Sequence, residues 1–359
     1  MHPYPIAKLI YIGESVLPND TRFEGVLVGG LSGIDYDPQR QQWLMVSDDR
    51  AEKGPARAYL GRITITHDAV SPLTLDKMIQ LRQPDGSLYP NKVDYLNNHL
   101  GAVPDFESIR FNHHTHGLRY TSEGDRTLQL NPLIRDARLD GHYLGDLPVP
   151  NAFLFDPTDA NRGFYNNLAL EGSSFTPDGH RYFTGMEASL KQDGSPATLT
   201  HGSDSRITQY DERGHIIGQY IYPVDPIPAK PGPDKHADNG VSEILAVDQS
   251  HLLVLERAGV QDAQGHYHDY IRIYQADLHG ATNVADQPQL VKGQYQPMQK
   301  QLLLNLNHDD LPTLDNLEGM TFGPRLANGR QTLALISDNN FNASEITQIL
   351  AFQVVLTPH

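Results

Sequence analysis

The chain contains no cysteine, which excludes disulfides, thiolate nucleophiles and thiolate metal sites while leaving its compartment open. No stretch approaches the roughly 18 consecutive apolar residues of a membrane-spanning helix, so no membrane span is expected. Basic runs are missing as well: 28 Lys and Arg face 44 Asp and Glu, a formal charge of −16. A nucleic-acid partner requires a Lys/Arg surface against the phosphate backbone, so metal cations or cationic ligands suit this chain better. The opening Met1-His2-Pro3-Tyr4-Pro5 lacks a basic start followed by an apolar run. No secretory signal is visible there, although a trimmed one would leave the same sequence. Neither a Gly-x-Ser-x-Gly elbow nor a phosphate-cradling Gly loop is present. Helix-favouring runs are scarce, and 30 Gly and 25 Pro punctuate the chain, which is how a turn-rich all-β protein reads.

What is present is a repeat. An apolar residue, then Glu or Ser, then an aromatic or Val four residues on, recurs at Leu31-Ser32, Phe106-Glu107, Leu170-Glu171, Ser242-Glu243 and Leu317-Glu318. The anchors Ser32, Glu107, Glu171, Glu243 and Glu318 step by 75, 64, 72 and 75 residues. A turn and a second apolar run follow each one, ending on Asp48, Glu123, Glu187, Glu256 or Asp338, at offsets of 16, 16, 16, 13 and 20. Two further strand-like segments complete most units: 59–65 and 78–82, 128–134 and 143–149, 206–210 and 216–222, 270–274 and 301–306. The last unit stops after 349–356, one strand short, while residues 8–12 form a strand with no unit of its own.

Four strands per unit predict one all-β domain over 1–359, a β-propeller of five four-stranded blades starting near 31, 106, 170, 242 and 317, closed by the N-terminal strand pairing with the C-terminal blade. A sixth blade stays open as an alternative if 22–28 or the segment before Asp105 hides another unit, and a pair of β-sandwiches is the competing architecture. The period exceeds the roughly 40 to 45 residues of common propeller repeats. The surplus falls in 85–104, 189–205, 223–240 and 259–269, read as loops forming one functional face.

Inner strands of a propeller line its channel, so Glu107, Glu171, Glu243 and Glu318 are expected to meet near the axis with Ser32. Such a cluster resists joint ionisation and calls for a cation. Oxygen donors without thiolate or a His pair point to Ca²⁺, with Mg²⁺ and Mn²⁺ as alternatives. Glu107, Glu171, Glu243, Glu318, Glu256 and Asp338 are the candidate metal ligands, and Asn167, Asn239 and Asn316 are either carbonyl donors or turn formers. Glu123, Glu187 and Asp48 are candidate catalytic bases. Arg257 is a catalytic positioner, and with Arg50 and Arg126 it is a candidate for binding an anionic group, or else each Arg pairs with neighbouring acids. His113, His114, His116, His236, His266 and His268 read as solvated loop residues.

At these positions the chain resembles the esterase-like activity of phytase family, also called phytase-like domain proteins. The resemblance rests on Gly29-Gly30-Leu31-Ser32-Gly33 with Ser47-Asp48-Asp49, Asp105-Phe106-Glu107-Ser108 with Ser122-Glu123-Gly124, Leu170-Glu171-Gly172, Leu255-Glu256-Arg257, and Asn316-Leu317-Glu318-Gly319 with Ser337-Asp338-Asn339. Ser32 departs from the pattern in place of an acid, as do Leu245 and Ala246. The resemblance implies a periplasmic or secreted propeller hydrolysing a small anionic ester of phosphate or phosphodiester type with metal assistance. Two alternatives share the same acidic channel: a non-catalytic propeller with structural Ca²⁺ that binds a protein, glycan or small ligand, and a lactonase-like or carboxylester hydrolase. Oligomeric state is not legible.

Overall fold

The structure, a computed structural model, describes residues 4–308 and 310–358. The residues Met1-His2-Pro3 of the opening segment lie outside that range. Five four-stranded antiparallel sheets account for nearly all of the fold. From the axis outward, blade 1 is Leu31–Asp37, Gln42–Ser47, Arg57–Arg62 and Thr74–Gln80. Blade 2 is Phe106–Asn112, Gly117–Ser122, Leu133–Ala137 and Tyr143–Leu147. Blade 3 is Leu170–Phe175, Tyr182–Met186, Ser203–Tyr210 and Ile216–Val224. Blade 4 is Gly240–Ala246, His251–Gln261, Tyr267–Asp277 and Gln299–Asn305. Blade 5 is Leu317–Phe322, Thr332–Ser337 and Thr347–Leu356, completed by Ile6–Leu17 from the other end of the chain.

Leu9 pairs with Val354 and Tyr11 with Phe352, so the predicted closure holds. No sixth blade exists among the described residues. Arg22–Phe23 and Val26–Leu27 form only a two-stranded hairpin, and the segment before Asp105 carries a helix, Lys92–Asn98. Within blade 2 the expected strand 128–134 begins later, because Asp125 caps a 3₁₀ turn at Arg126–Leu128. The region 259–269 is no loop either. Both strands of the hairpin run through it, with Gly259 opposite Asp269 and Val260 opposite His268.

The continuous apolar runs of the second strands follow from burial on both faces, since successive side chains point to opposite sides. In Gln42–Ser47, Trp43 and Met45 pack toward blade 5 with Ala334 and Ile336. Leu44 and Val46 point the other way, onto Phe106 and Leu118 of blade 2. The same division gives one apolar cluster at each blade-to-blade interface.

Adjacent inner strands are tied by side chains at all five interfaces. The Ser32 hydroxyl donates to Phe106 O at 2.7 Å, Ser108 and Ser173 hydroxyls lie 2.7 Å apart, and Ala246 N donates to Ser174 Oγ at 2.8 Å. Ser242 Oγ donates to Leu317 O at 3.3 Å, and Thr321 Oγ1 to Asp35 Oδ1 at 3.0 Å. The glycine after the anchor allows this approach: a Cβ on Gly172 would lie 2.6 Å from Ile244 N.

Candidate functional site

The antiparallel order of each blade places the connections after the second strand and after the fourth strand at one end of the ring. The surplus segments 85–104, 189–205 and 223–240 are all connections of these two kinds. At the same end the second strands terminate, and Asp48, Glu123, Glu187 and Asp338 each follow the last paired residue directly.

The anchors are held at bulges. In blade 1 the register runs Leu31 to Ser47 and then Gly33 to Val46, leaving Ser32 unpaired. Glu171 and Glu318 are skipped in the same way, and blade 2 skips both Glu107 and Ser108. A bulge re-aims its extra residue out of the ladder, which turns these carboxylates into the mouth of the ring.

Eight carboxylates result, in three groups whose oxygens lie within 4.8 Å of one another: Asp48, Glu318 and Asp338; Asp105, Glu107 and Glu123; Glu123, Glu171 and Glu187. Glu123 belongs to two of them and also accepts from Ala169 N at 2.9 Å. Burial, and then the charges of Glu171, Asp105, Glu123 and Glu318, hold Glu107 well above the usual carboxylate range. Glu171 is raised by burial and by Glu187, Glu123 and Glu318; Asp48 by burial, Asp338 and Glu318. Burial likewise raises Glu318 and Asp338 and pushes Asp105 to about 6 and Glu187 to about 7.

Two arginines enter this pool. Arg257 Nη2 lies 3.5 Å from Glu187 and 3.8 Å from Glu318, joining two of the groups, and its Nε is buried without a hydrogen-bond partner. Arg50 pairs with Asp125 at 2.7 Å and reaches Asp105 at 4.0 Å. Arg126, expected beside them, instead donates to the carbonyls of Arg162 and Phe164 at 2.8 and 2.9 Å and stacks on Phe155. Asp49 turns away to Arg57 at 2.6 Å.

Two expected ligands lie outside the three groups, both in blade 4. There the bulge falls on Ser242, because Val241 pairs with Glu256 and Glu243 with Leu255. The structural equivalents of Glu171 and Glu187 are therefore Ser242 and Arg257. A one-residue shift moves every side chain to the other face, which is why Glu243 and Glu256 depart. Glu256 accepts from Lys300 at 2.7 Å, Asn239 at 3.1 Å and the Tyr222 hydroxyl at 2.5 Å. Glu243 meets Arg110 Nη2 at 3.2 Å and accepts from Ser173 N and Ile244 N.

Arg110 is the functional residue that sequence patterning missed. Projecting from blade 2, its guanidinium donates to Ser173 O at 2.8 Å, Ile34 O at 3.1 Å, Ile244 O at 3.1 Å and Met320 O at 3.0 Å. It touches the inner strand of every other blade and so sits on the axis, plugging the channel. The acidic pool thus lies on one side of this plug, with Glu107, Glu123, Glu171, Glu187 and Asp338 buried and Asp48, Asp105 and Glu318 half-buried. Of the three asparagines, Asn167 takes a left-handed turn conformation and Asn239 serves Glu256. Asn316 donates to Glu318 Oε1 at 3.1 Å while its own Oδ1 is buried without a partner.

Comparisons with known proteins bear on the family. No curated protein is similar enough in sequence to count as a relative. An endo-arabinase from Bacteroides thetaiotaomicron is similar in structure at 9% identity and TM-score 0.46, over 92% of this chain and 95% of that one. A gluconolactonase from Xanthomonas campestris is similar at 10% identity and TM-score 0.34, over 99% and 100%. Matched along residues 26–341, the chain belongs to the phytase-like family described as esterase-like activity of phytase.

Proposed function

We propose that this propeller is a metal-assisted hydrolase of small anionic esters of the phosphate or phosphodiester class, with its reaction centre in the carboxylate well. Membership of an esterase-like family supports a hydrolase-type role. The observation that carries the metal is the orphaned Asn316 Oδ1 beside Asp48, Glu318 and Asp338. A buried acceptor without a donor is costly, and three carboxylates next to it add oxygen donors of the kind hard divalent ions take. Ca²⁺ fits this donor set, with Mg²⁺ and Mn²⁺ as alternatives. When bound, it would polarise an ester oxygen and acidify a water.

The chain's own residues supply the rest. Arg257, drawn between Glu187 and Glu318, can exchange one of these partners for the anionic oxygen of a substrate, which fixes that group at the well. Glu187, whose proton affinity is pushed to about 7, suits a group that accepts a proton near neutral pH. Glu123 and Glu171 lie beside Glu187, with oxygens within 4.8 Å of one another, so they can take up a proton passed to that group. Arg110 closes the axis below, so a substrate would reach these carboxylates from the end of the ring where the second strands terminate.

The experiment is turnover of a phosphodiester, a phosphomonoester and a carboxylester by the chelated chain and after Ca²⁺, Mg²⁺ or Mn²⁺ is restored. Metal-dependent phosphoester turnover that falls at least 100-fold in Glu187→Gln is expected. Carboxylester turnover alone would move the reading to the lactonase-like class. Metal binding with no turnover would leave a structural ion in a non-catalytic propeller.

A further inference from the structure

We infer that blade 4 carries a second metal site, for a borderline ion of the Zn²⁺ class, built by His251, Asp277 and His279 at the end of the ring opposite the carboxylate well. His251 opens the second strand of the blade, Asp277 closes the third and stands directly opposite it in register, and His279 follows in the turn. Arg257 of the acidic well lies six residues further along the same strand, about 20 Å away at a strand's rise.

One ligand atom from each residue lies within 4.8 Å of the other two. Beyond this proximity, the hydrogen bonding of His251 points to an ion. Its Nδ1 sits 3.0 and 2.9 Å from the two carboxylate oxygens of Asp248. A carboxylate accepts, so Nδ1 carries the hydrogen and Nε2 of the neutral ring is a bare lone pair. Asp248 is itself fixed by the backbone N–H groups of Ser250 and His251 at 2.7 and 2.8 Å.

His251 is only 8% exposed, and its Nε2 is buried with no hydrogen-bond partner. What faces it is Asp277 Oδ1 at 3.8 Å, beyond hydrogen-bond reach. Asp277 Oδ1 accepts from His279 N at 2.8 Å and from His279 Nδ1 at 2.7 Å, so the orphan here is His251 Nε2, a buried acceptor that a cation would satisfy. The His279 Nδ1 hydrogen on that oxygen is the one an incoming ion would displace, since metal binding releases protons from its ligands, and the two imidazoles have centroids 5.9 Å apart. Because the His279 side chain is 51% exposed, an ion can enter from solvent and keep a water in the remaining position.

The donor types select the metal. Two imidazoles and a carboxylate suit Zn²⁺, Co²⁺ or Ni²⁺ and are poor ligands for Ca²⁺. Asp248 acts as the outer carboxylate that orients a ligating histidine through its far nitrogen. It is a positioning residue and touches no ion.

The test uses the full chain, with Ca²⁺ in excess to fill the oxygen-only well, and titrates Zn²⁺ by calorimetry and Cu²⁺ by electron paramagnetic resonance. The expected result is one Zn²⁺ per chain, together with copper hyperfine splitting from two nitrogens, which the all-oxygen well cannot give. His279→Asn, at an exposed position that leaves the fold intact, should weaken Zn²⁺ at least tenfold and remove one nitrogen from the copper spectrum. Asp248→Asn should weaken Zn²⁺ about 10- to 100-fold while both nitrogens persist. An oxygen-only copper spectrum, or Zn²⁺ affinity unchanged in His279→Asn, would overturn the site.

Discussion

Replacing Arg110 by Met asks how much of the ring depends on its axial plug. Met keeps much of the volume and removes every donor. Four inner-strand carbonyls, those of Ile34, Ser173, Ile244 and Met320, lose a charged donor, and Glu243 loses its 3.2 Å partner in a site where it is 1% exposed. Burial holds Glu243 at about 8 even against the pull of Arg110, so near neutral pH it already carries a proton and losing Arg110 strands no charge there; the penalty comes chiefly from the carbonyls left without a charged donor. Urea unfolding of Arg110→Met should show a lower midpoint with an unchanged slope, equivalent to at least 3 kcal/mol. Glu243→Gln keeps the shape and should cost less than about 1.5 kcal/mol. The double variant should cost less than the sum of the two. An Arg110→Met variant within 1 kcal/mol of the parent would refute the plug as a determinant of stability. So would a Glu243→Gln variant that costs as much as Arg110→Met.

Asp105 and Glu187, raised to about 6 and about 7 from ordinary values of 3.8 and 4.5, bind protons more tightly folded than unfolded. Their stabilising contribution is complete below about pH 4 and is lost as pH rises through 6 to 7, on the order of 2–3 kcal/mol each. The chelated protein should therefore melt higher at pH 5.5 than at pH 8, and saturating Ca²⁺ should flatten that slope; a chelated protein that melts higher at pH 8 would contradict the repulsion. Gly172→Ala places a Cβ 2.6 Å from Ile244 N, so adjacent inner strands must part. Denaturant unfolding should show a loss of about 1–3 kcal/mol, and a neutral result would mean the bulge has room to relax.

The repeat made the ring legible because each blade repeats the same burial problem, an inner strand with a bulged polar residue and a second strand buried on both faces. Leu31, Phe106, Leu170 and Leu317 begin equivalent strands, and the unpaired ends of the chain predicted their own pairing. Blade 4 was misread for a reason in the ladder itself. Ser242 and Glu243 both resemble anchor residues, and only the pairing of Val241 with Glu256 decides between them. Arg257 then occupies an acid's place, a substitution visible only once register is known. Arg110 lay hidden because an arginine in an apolar strand carries no sign that five strands converge on it. The blade 4 histidines escaped because His251 and His279 are brought together by a hairpin, not by short spacing.

The central claim, that the carboxylate well holds a divalent cation, is tested most directly by melting curves of the chain with chelator and with Ca²⁺ restored, alongside metal analysis. Folding forces Asp48, Glu318, Asp338 and their neighbours together while the unfolded chain keeps them apart, so a bridging ion favours the native state. At a hundredfold excess over its dissociation constant this contributes about 2.7 kcal/mol, which for a chain of 359 residues is a shift of about 3–4 °C. Chelation should lower the melting temperature by that amount, Ca²⁺ should restore it, and Glu318→Gln or Glu171→Gln should blunt both responses. A melting curve unmoved by exhaustive chelation, with no Ca²⁺, Mg²⁺ or Mn²⁺ found and no response to adding them, would mean that shared protons and Arg257 hold the well together and that the metal-assisted account is wrong.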